Sequence, residues 1–153
     1  MYMNDERPRA IVEKDLKAVA ELHAICFDDP WGVPILKSIL EPSESFGLLI
    51  RKYETLASFI LFRSVAKEGE ILSLAVAPNL RREGLAISLL QSTIIRAGGL
   101  GLEQIFLEVA MDNQAAQKLY DRFAFKQVGV RKDYYKRFKG PNIDALTLKL
   151  NIS

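Results

Sequence analysis

The hydrophobic pattern between residues 71 and 109 changes its period twice, and this change constrains the fold more than any other feature of the chain. Residues 71–76 form a mostly apolar run of strand length, and residues 105–109 form another. Between them, apolar residues recur at helical spacing until Gly98-Gly99, namely Ala86, Leu89, Leu90, Ile94 and Ala97. A strand, a helix and a strand in this order predict a right-handed crossover between two parallel strands. We therefore expect a ligand beyond their C-terminal ends, where the turn after Val76 and the residues after Glu108 converge.

The rest of the chain supplies further elements of a mixed α/β fold. Its patterns predict strands at residues 9–12, 47–51, 55–62, 126–130 and 145–150. They also predict helices at residues 16–27, at residues 34–40 and after a cap at Asp112 or Asn113. No linker or internal repeat divides the sequence, and 153 residues fit one domain of ordinary size. We therefore expect residues 1–153 to form a single domain.

The composition is typical of a soluble globular protein, with 49% apolar and 26% charged residues. The lone cysteine, Cys26, excludes a disulfide framework and favours a reducing compartment. No apolar run approaches the roughly 20 residues that span a bilayer. The N-terminus, with Asp5 and Glu6, lacks the basic-then-apolar order of a signal peptide. We therefore expect a cytoplasmic protein, a monomer or weak homodimer, that does not bind membranes.

Basic residues concentrate near the C-terminal end of the chain. Residues 126–140 contain six of them against one acid, Asp133: Lys126, Arg131, Lys132, Lys136, Arg137 and Lys139. This segment is either a solvated surface loop or a contact for an anionic ligand, a protein partner or nucleic acid. Aromatic residues interleave with the basic ones, but no signature of a nucleic-acid-binding module accompanies them, so we do not expect direct nucleic-acid binding.

The segment Arg81-Arg82-Glu83-Gly84-Leu85-Ala86 lies between the first strand of the predicted crossover and its helix. A turn that enters a helix presents unpaired backbone N–H groups at the positive end of the helix dipole, where phosphate oxygens bind readily. Gly84 and Ala86 leave room for a ligand near the main chain, while Arg81 and Arg82 add charged donors. The segment matches neither the dinucleotide-binding glycine fingerprint nor the P-loop, which argues against both classes.

This segment resembles the [Gln/Arg]-x-x-Gly-x-[Gly/Ala] signature with which GNAT N-acetyltransferases bind the pyrophosphate of acetyl-coenzyme A (acetyl-CoA). The resemblance extends over most of residues 9–150 and narrows to the bacterial ribosomal-protein-alanine N-acetyltransferases. The motifs that carry it are residues 27–31, residues 74–78 (Leu-Ala-Val-Ala-Pro), residues 105–109 (Ile-Phe-Leu-Glu-Val), residues 113–120, residues 131–135 (Arg-Lys-Asp-Tyr-Tyr) and Asp144-Ala145. One departure is Ala124, where the family usually has glycine. If this position is left-handed, alanine is disfavoured there by about 1 kcal/mol.

The resemblance implies the GNAT fold, a central mixed twisted sheet with helices on both faces. It also implies acetyl-CoA as cosubstrate, no metal, and direct transfer of the acetyl group to the N-terminal amine of a protein such as a ribosomal protein. Three other interpretations remain open. The chain could acetylate a small-molecule amine or a lysine side chain, bind acyl-CoA without catalysis, or bind RNA through the basic segment.

Acetyl transfer requires a neutral amine and a proton for the departing thiolate. A protein α-amino group titrates at about 8, so a general base is useful at pH 7. Glu108 is the one charged residue of the strand at 105–109, where it is either such a base or the partner of a nearby arginine. Tyr120, on the following helix, is either a core residue or an acid. The resemblance implies that Glu108 takes the proton from the amine and that Tyr120 protonates the thiolate of coenzyme A.

The resemblance further implies a set of residues that bind the acetyl donor. It comprises the main chain of Leu74, Ala75 and Val76, the turn of Arg81, Arg82, Glu83, Gly84, Leu85, Ala86 and Ile87, and Asn113. Asn113 could equally be a plain helix cap. For the acceptor, the implied residues are Trp31 and Tyr135. The spacing of His23 and Cys26 could suggest a metal pair, but two ligands do not make a zinc site. Both are expected to be core residues.

Overall fold

The computed structural model describes residues 6–152, which form a seven-stranded sheet with four α-helices. The expectation about the N-terminus falls partly on residues 1–5, which lie outside the described residues. The strands are β1 (Arg9–Ala10), β2 (Phe46–Lys52), β3 (Thr55–Val65), β4 (Glu68–Val76), β5 (Gln104–Ala110), β6 (Lys126–Tyr135) and β7 (Ile143–Asn151). The helices are α1 (Leu16–Cys26), α2 (Val33–Leu40), α3 (Leu85–Gly99) and α4 (Gln114–Arg122), with short 3₁₀ turns at Glu13–Asp15 and Pro78–Leu80.

The strand order in the sheet is β1-β2-β3-β4-β5-β7-β6, and β4 and β5 are its parallel pair. The crossover predicted from the change of period is therefore confirmed. The pairing of β4 with β5 runs from Glu68–Gln104 to Ile71–Leu107. Both strands lie wholly within the described residues, and beyond Ile71 and Leu107 they do not pair with each other. Residues 72–76 and 108–110 consequently part and leave a wedge between the two strands.

Helices cover both faces of the sheet, as the sequence predicts. Alternate residues of β3 face opposite ways, with Ile60 and Phe62 in the core beneath α3 and α4 and with Phe59 and Leu61 in the core beneath α1 and α2. The second core takes its strand residues from β2, β3 and β4. The same face of β5, β7 and β6 is therefore left without a helix above it, and we call it the open face.

Several strands extend further than the apolar patterns predict. β4 begins at Glu68 instead of Ile71, because Glu70 and Glu68 lie opposite Arg63 and Val65 on a part of the sheet where polar side chains remain solvated. The basic segment is not a loop over its first part, since residues 126–135 form the edge strand β6. Only β7 pairs with β6 in the described chain, so most β6 side chains remain exposed.

Helix α4 ends in a hydrogen-bonded motif that requires a left-handed residue. The N–H of Phe125 donates to the carbonyl of Tyr120 at 3.1 Å, and the N–H of Ala124 donates to the carbonyl of Asp121 at 2.9 Å. These two bonds define a Schellman motif, whose left-handed position is normally glycine. Ala124 occupies that position with φ of +68°.

We predict that Ala124→Gly stabilises the protein by about 1 kcal/mol, because alanine pays a steric cost in this conformation that glycine avoids. Urea unfolding at pH 7 measures the change. Ala115→Gly, in the exposed first turn of the same helix, is the matched control and should destabilise by about 0.5–1 kcal/mol. A less stable Ala124→Gly variant would contradict the account of this helix end.

Candidate active site

The turn between β4 and α3 has the backbone of an anion-binding cradle. Arg82 and Gly84 are both left-handed, with φ of +66° and +82°, and Gly84 is the N-cap residue of α3. No side chain in the described chain caps this helix. A Cβ added to Gly84 would meet no atom within 4 Å, so the main chain of the turn is open to a ligand. Successive N–H groups in such a turn bind anions.

Two charged side chains of this turn are directed at the protein and brace it. Nε of Arg81 donates to the carbonyl of Val76 at 3.3 Å, and its Nη2 lies 3.9 Å from Sγ of Cys26. The carboxylate of Glu83 pairs with Lys52 of β2. Arg82, the third charged residue of the turn, is exposed.

At the end of β4 the main chain is no longer paired with β5, and the side chains pack into the two cores. Leu74 and Val76 pack beneath α3 and α4, whereas Ala75 lies beneath α1 and α2. Leu85 of the turn is also buried, so it offers only its backbone N–H. Ala86 and Ile87 follow in the first turn of α3, half-buried.

Glu108 is the first residue of β5 beyond the register with β4, so it lies where the two strands part. Its side chain is 11% exposed and lies on the open face. Oε2 accepts a hydrogen bond from Oγ1 of Thr147 at 2.6 Å, and Oε1 lies 3.0 Å from Nε of Arg131. The interpretation of Glu108 as the partner of an arginine is therefore confirmed, and a role as base is compatible with the same geometry.

Tyr120 lies on the other side of β5, in the core beneath α3 and α4. It is 6% exposed, and its ring meets Phe125 edge-on with centroids 5.6 Å apart. Burial, with a smaller effect of Tyr135, raises the pKa of the Tyr120 phenol above its usual range, so the phenol is protonated at neutral pH. The hydroxyl of Tyr135 donates to the main-chain carbonyl of Glu108 at 2.8 Å. Glu108 and Tyr120 thus flank β5 from opposite faces of the sheet.

Asn113 caps helix α4, since its Oδ1 accepts from the N–H of Ala116 at 3.1 Å. The interpretation of Asn113 as a helix cap is therefore confirmed. Gln117 reinforces this turn from one helical turn further on, because its Nε2 donates to the carbonyls of Ala110 and Met111 at 3.1 and 2.9 Å. These contacts fix the start of α4 relative to the end of β5.

The loop between α1 and α2 is fixed by His23, which is 2% exposed and therefore a core residue as predicted. The N–H of Trp31 donates to Nδ1 of His23 at 3.0 Å, and the two rings stack with centroids 4.8 Å apart. Asp28 of the same loop accepts from the N–H of Phe138, in the β6–β7 loop, at 3.2 Å. Cys26 is half-buried, at the edge of the core beneath α1 and α2.

Sequence reasoning did not identify the residues that brace the site. They are Thr147 and Arg131 on Glu108, Gln117 at the start of α4, Arg137 with its ion pair to Asp112 at 2.6 Å, and Asp144, whose carboxylate accepts from the N–H of Asp133 at 2.9 Å. Each is a polar residue on or beside a predicted element, and all but Gln117 have partners on another strand or loop. The available signals were the charge of the basic segment, which contains Arg131 and Arg137, and the family motifs at residues 113–120, residues 131–135 and Asp144-Ala145, but these signals gave no partner for any of the residues.

Two further properties concern the part of the chain that the structure describes. Within residues 6–152, no three His, Cys, Asp or Glu side chains are placed to hold a metal ion. None of the helices there is both long and apolar enough to cross a membrane.

Comparison with known proteins agrees with this geometry. Residues 16–125 match the model of the acetyltransferase (GNAT) family. The [ribosomal protein bS18]-alanine N-acetyltransferase of Haemophilus ducreyi is 30% identical over 143 residues, which cover 92% of this chain and 96% of that protein. The enzyme of the same name from Escherichia coli K12 is 33% identical over 98 residues, 64% of this chain and 66% of that protein. This chain therefore belongs to the GNAT acetyltransferase family.

Solved structures show the same relationship. The ribosomal-protein-S18-alanine N-acetyltransferase of Escherichia coli superimposes with a TM-score of 0.87 at 26% identity, over 95% of this chain and 93% of that one. The GNAT fold implied by the sequence is confirmed, and the chain is an N-acetyltransferase.

We predict that His23 makes the protein less stable in acid. Burial lowers the pKa of His23 to about 4, whereas an unfolded histidine titrates at about 6.5. Between these values the unfolded chain binds the proton and the folded chain does not, so stability is lost as the pH falls from 6.5 towards 4. The free energy of unfolding should drop by about 2 kcal/mol from His23 alone between pH 7 and pH 5.

Urea unfolding of the wild type and of His23→Gln at both pH values isolates this contribution. The variant should show a pH dependence smaller by that amount. An equal pH dependence in the two proteins would mean that His23 is not held neutral by the fold.

Proposed function

We propose that this chain transfers the acetyl group of acetyl-CoA to the N-terminal amine of a protein, with a ribosomal protein that begins with alanine as the first candidate. The observation that carries the proposal is the cradle of Arg82 and Gly84 beside a wedge that begins at Glu108. The acceptor class is supported by the names of the relatives, which are acetyltransferases of the alanine of ribosomal protein bS18.

The residues present fit acetyl-CoA. A diphosphate suits the free N–H groups at the start of α3 together with the exposed guanidinium of Arg82. The arm that joins the diphosphate to the thioester would follow the main chain of residues 74–76, whose side chains are turned into the cores. This path leads from the turn into the wedge and towards Glu108.

The proposed reaction is direct. The amine nitrogen attacks the carbonyl carbon of the thioester, a C–N bond forms, and the C–S bond breaks. Glu108 takes the proton that the amine loses, directly or through water, and Tyr120 gives its proton to the departing thiolate. Glu108 lies on one side of β5 and Tyr120 on the other, so a thioester in the wedge beside β5 would lie between them, and Tyr120 is protonated at neutral pH and can donate its proton.

The acceptor would reach Glu108 from the open face. Trp31 lies in the α1–α2 loop and Tyr135 at the end of β6, and the contact of Asp28 with Phe138 joins the two loops beside them. Trp31 and Tyr135 are the acceptor-binding residues that we propose. We further propose that residues 1–153 act as one cytoplasmic domain, as a monomer or weak homodimer, without binding nucleic acid directly.

The test mixes the protein with acetyl-CoA and a peptide that has a free N-terminal alanine, and measures free thiol and the mass of the peptide. We expect thiol release with a mass gain of one acetyl group at the N-terminus. Glu108→Gln should slow turnover by roughly 10²-fold or more, most strongly at low pH where the amine is charged. Glu103→Gln, which removes an exposed carboxylate just before the same strand, should leave the rate unchanged.

Control acceptors separate the alternatives. A peptide with a blocked N-terminus and an internal lysine, or a small polyamine, would be the better acceptor if the N-terminal assignment is wrong. Binding of acetyl-CoA without transfer to any amine would support a non-catalytic module. An unchanged rate and pH profile for Glu108→Gln would remove Glu108 from the proposed mechanism.

Gly84 and Gly101 provide a matched test of the donor site. Both glycines are left-handed, with φ of +82° and +78°, and at both an added Cβ has no atom within 4 Å. Replacement by alanine should therefore cost each variant about 1 kcal/mol of stability. Calorimetric titration with acetyl-CoA should show roughly tenfold or weaker binding for Gly84→Ala only, because its methyl group intrudes on the diphosphate. Equal affinity in the two variants would place the diphosphate elsewhere.

A further inference from the structure

Both carboxylate oxygens of Glu108 have partners, and the two partners differ in kind. Thr147 lies directly opposite Glu108 on β7, with a short, half-buried side chain that donates to Oε2 at 2.6 Å. Arg131 reaches Oε1 from the edge strand β6, and its side chain is 61% exposed. The threonine is therefore a fixed neutral donor, whereas the arginine is a long, solvated cation.

An acceptor amine that approaches Oε1 of Glu108 competes with Arg131 for this oxygen. A base must lie within hydrogen-bond distance of the proton it takes, or one water away. A protein α-amino group titrates at about 8, so at pH 7 it arrives mainly as an ammonium ion. Thr147 already holds Oε2, which leaves Oε1 as the oxygen of Glu108 that an incoming cation would approach.

We propose that Arg131 is a displaceable counter-ion. It pairs with Glu108 in the free enzyme, and the ammonium group of the acceptor displaces it from Glu108. This inference rests on the proposed role of Glu108. Arg131 is in this view a positioning residue that competes with the acceptor for the base. An exposed ion pair contributes little to stability, so its displacement is easy.

The open face provides a place for the displaced guanidinium. Arg131 lines a groove of about 940 Å³ together with Glu70, Arg63 and Phe106. Cζ of Arg131 lies 5.5 Å from the ring centroid of Tyr134, a distance at which cation–π attraction acts. Glu70 is paired with Arg63 at 2.8 Å and supplies a second carboxylate in the same groove. Arg131 can therefore leave Oε1 without losing all of its electrostatic partners.

The alternative is that Arg131 holds Glu108 in place, as Thr147 does. The two roles predict opposite signs for the same substitution. Loss of a competing cation strengthens binding of a charged acceptor, whereas loss of a supporting contact weakens binding or slows turnover.

The experiment compares Arg131→Gln, Arg131→Lys and Lys132→Gln with the wild type, using the alanine peptide at saturating acetyl-CoA. At pH 7 we expect Arg131→Gln to lower the KM for the peptide by roughly two- to five-fold, the range set by an exposed ion pair, while the KM for acetyl-CoA is unchanged. At pH 9 most of the peptide amine is neutral, so the difference should shrink. Arg131→Lys, which keeps a cation, should restore most of the wild-type KM.

Lys132→Gln removes an adjacent exposed charge from the same strand and controls for general repulsion of the peptide. It should leave both KM values unchanged. A misfolded variant would lose kcat and would not gain affinity, so a lower KM identifies competition.

An unchanged or raised KM for Arg131→Gln, or an equal drop in KM for Lys132→Gln, would overturn the inference. If the wild type acetylates the peptide but the variants give one of these contrary KM results, the proposed function stands and only the inference about Arg131 fails. A wild type that does not acetylate the peptide overturns both.

Discussion

The site depends on one constraint, the end of pairing between β4 and β5 at Ile71–Leu107. Parallel strands normally satisfy each other's N–H and C=O groups, so strands that part must find other partners. Some are found within the chain, because Oγ of Ser58 donates to the carbonyl of Ala75 and Arg81 donates to that of Val76. The facing edges of the two strands border a wedge that begins at Glu108 and opens towards the cradle before α3, while their outer edges stay paired with β3 and β7. A sheet paired along its whole length would have no such opening.

The wedge is made by the crossover, but the proposed base is held by the strands that follow it. Thr147 on β7 and Arg131 on β6 contact the carboxylate of Glu108, and Tyr135 holds its main chain. Tyr135 follows a bulge at Asp133, whose φ is +52° and whose N–H is held by Asp144. The match to the family model ends at residue 125, before these strands begin. The strands that contact the side chain of Glu108 therefore follow the segment that the family model matches.

The sequence was sufficient to predict the helices and strands that have one buried and one exposed side, because these show a clear hydrophobic period. The crossover and the cap at Asn113 follow from period and cap chemistry, which are local properties, whereas helices on both faces of the sheet are implied by the family resemblance. The left-handed position of Ala124 was also foreseen as a condition of the resemblance and is present. The basic segment was harder to interpret beyond residue 130, because an edge strand is exposed on both faces and its residues 131–135 show no apolar alternation.

The contacts of the candidate site could not be predicted in the same way. That Glu108 would have a nearby arginine remained one of two interpretations, and which arginine required the order β5-β7-β6, which is not the order along the chain. The end of pairing after Leu107 depends on register between distant strands and leaves no local pattern. Thr147 is one polar residue in an alternating strand until its partner on β5 is known.

The most direct test of the wedge is amide hydrogen exchange with and without saturating acetyl-CoA. If the donor lies between β4 and β5 with its diphosphate at the turn, exchange should slow in residues 72–87 and at the end of β5, and should be unchanged in β1 and β2. Protection of another region, with exchange in residues 72–87 unaffected at saturation, would contradict the account.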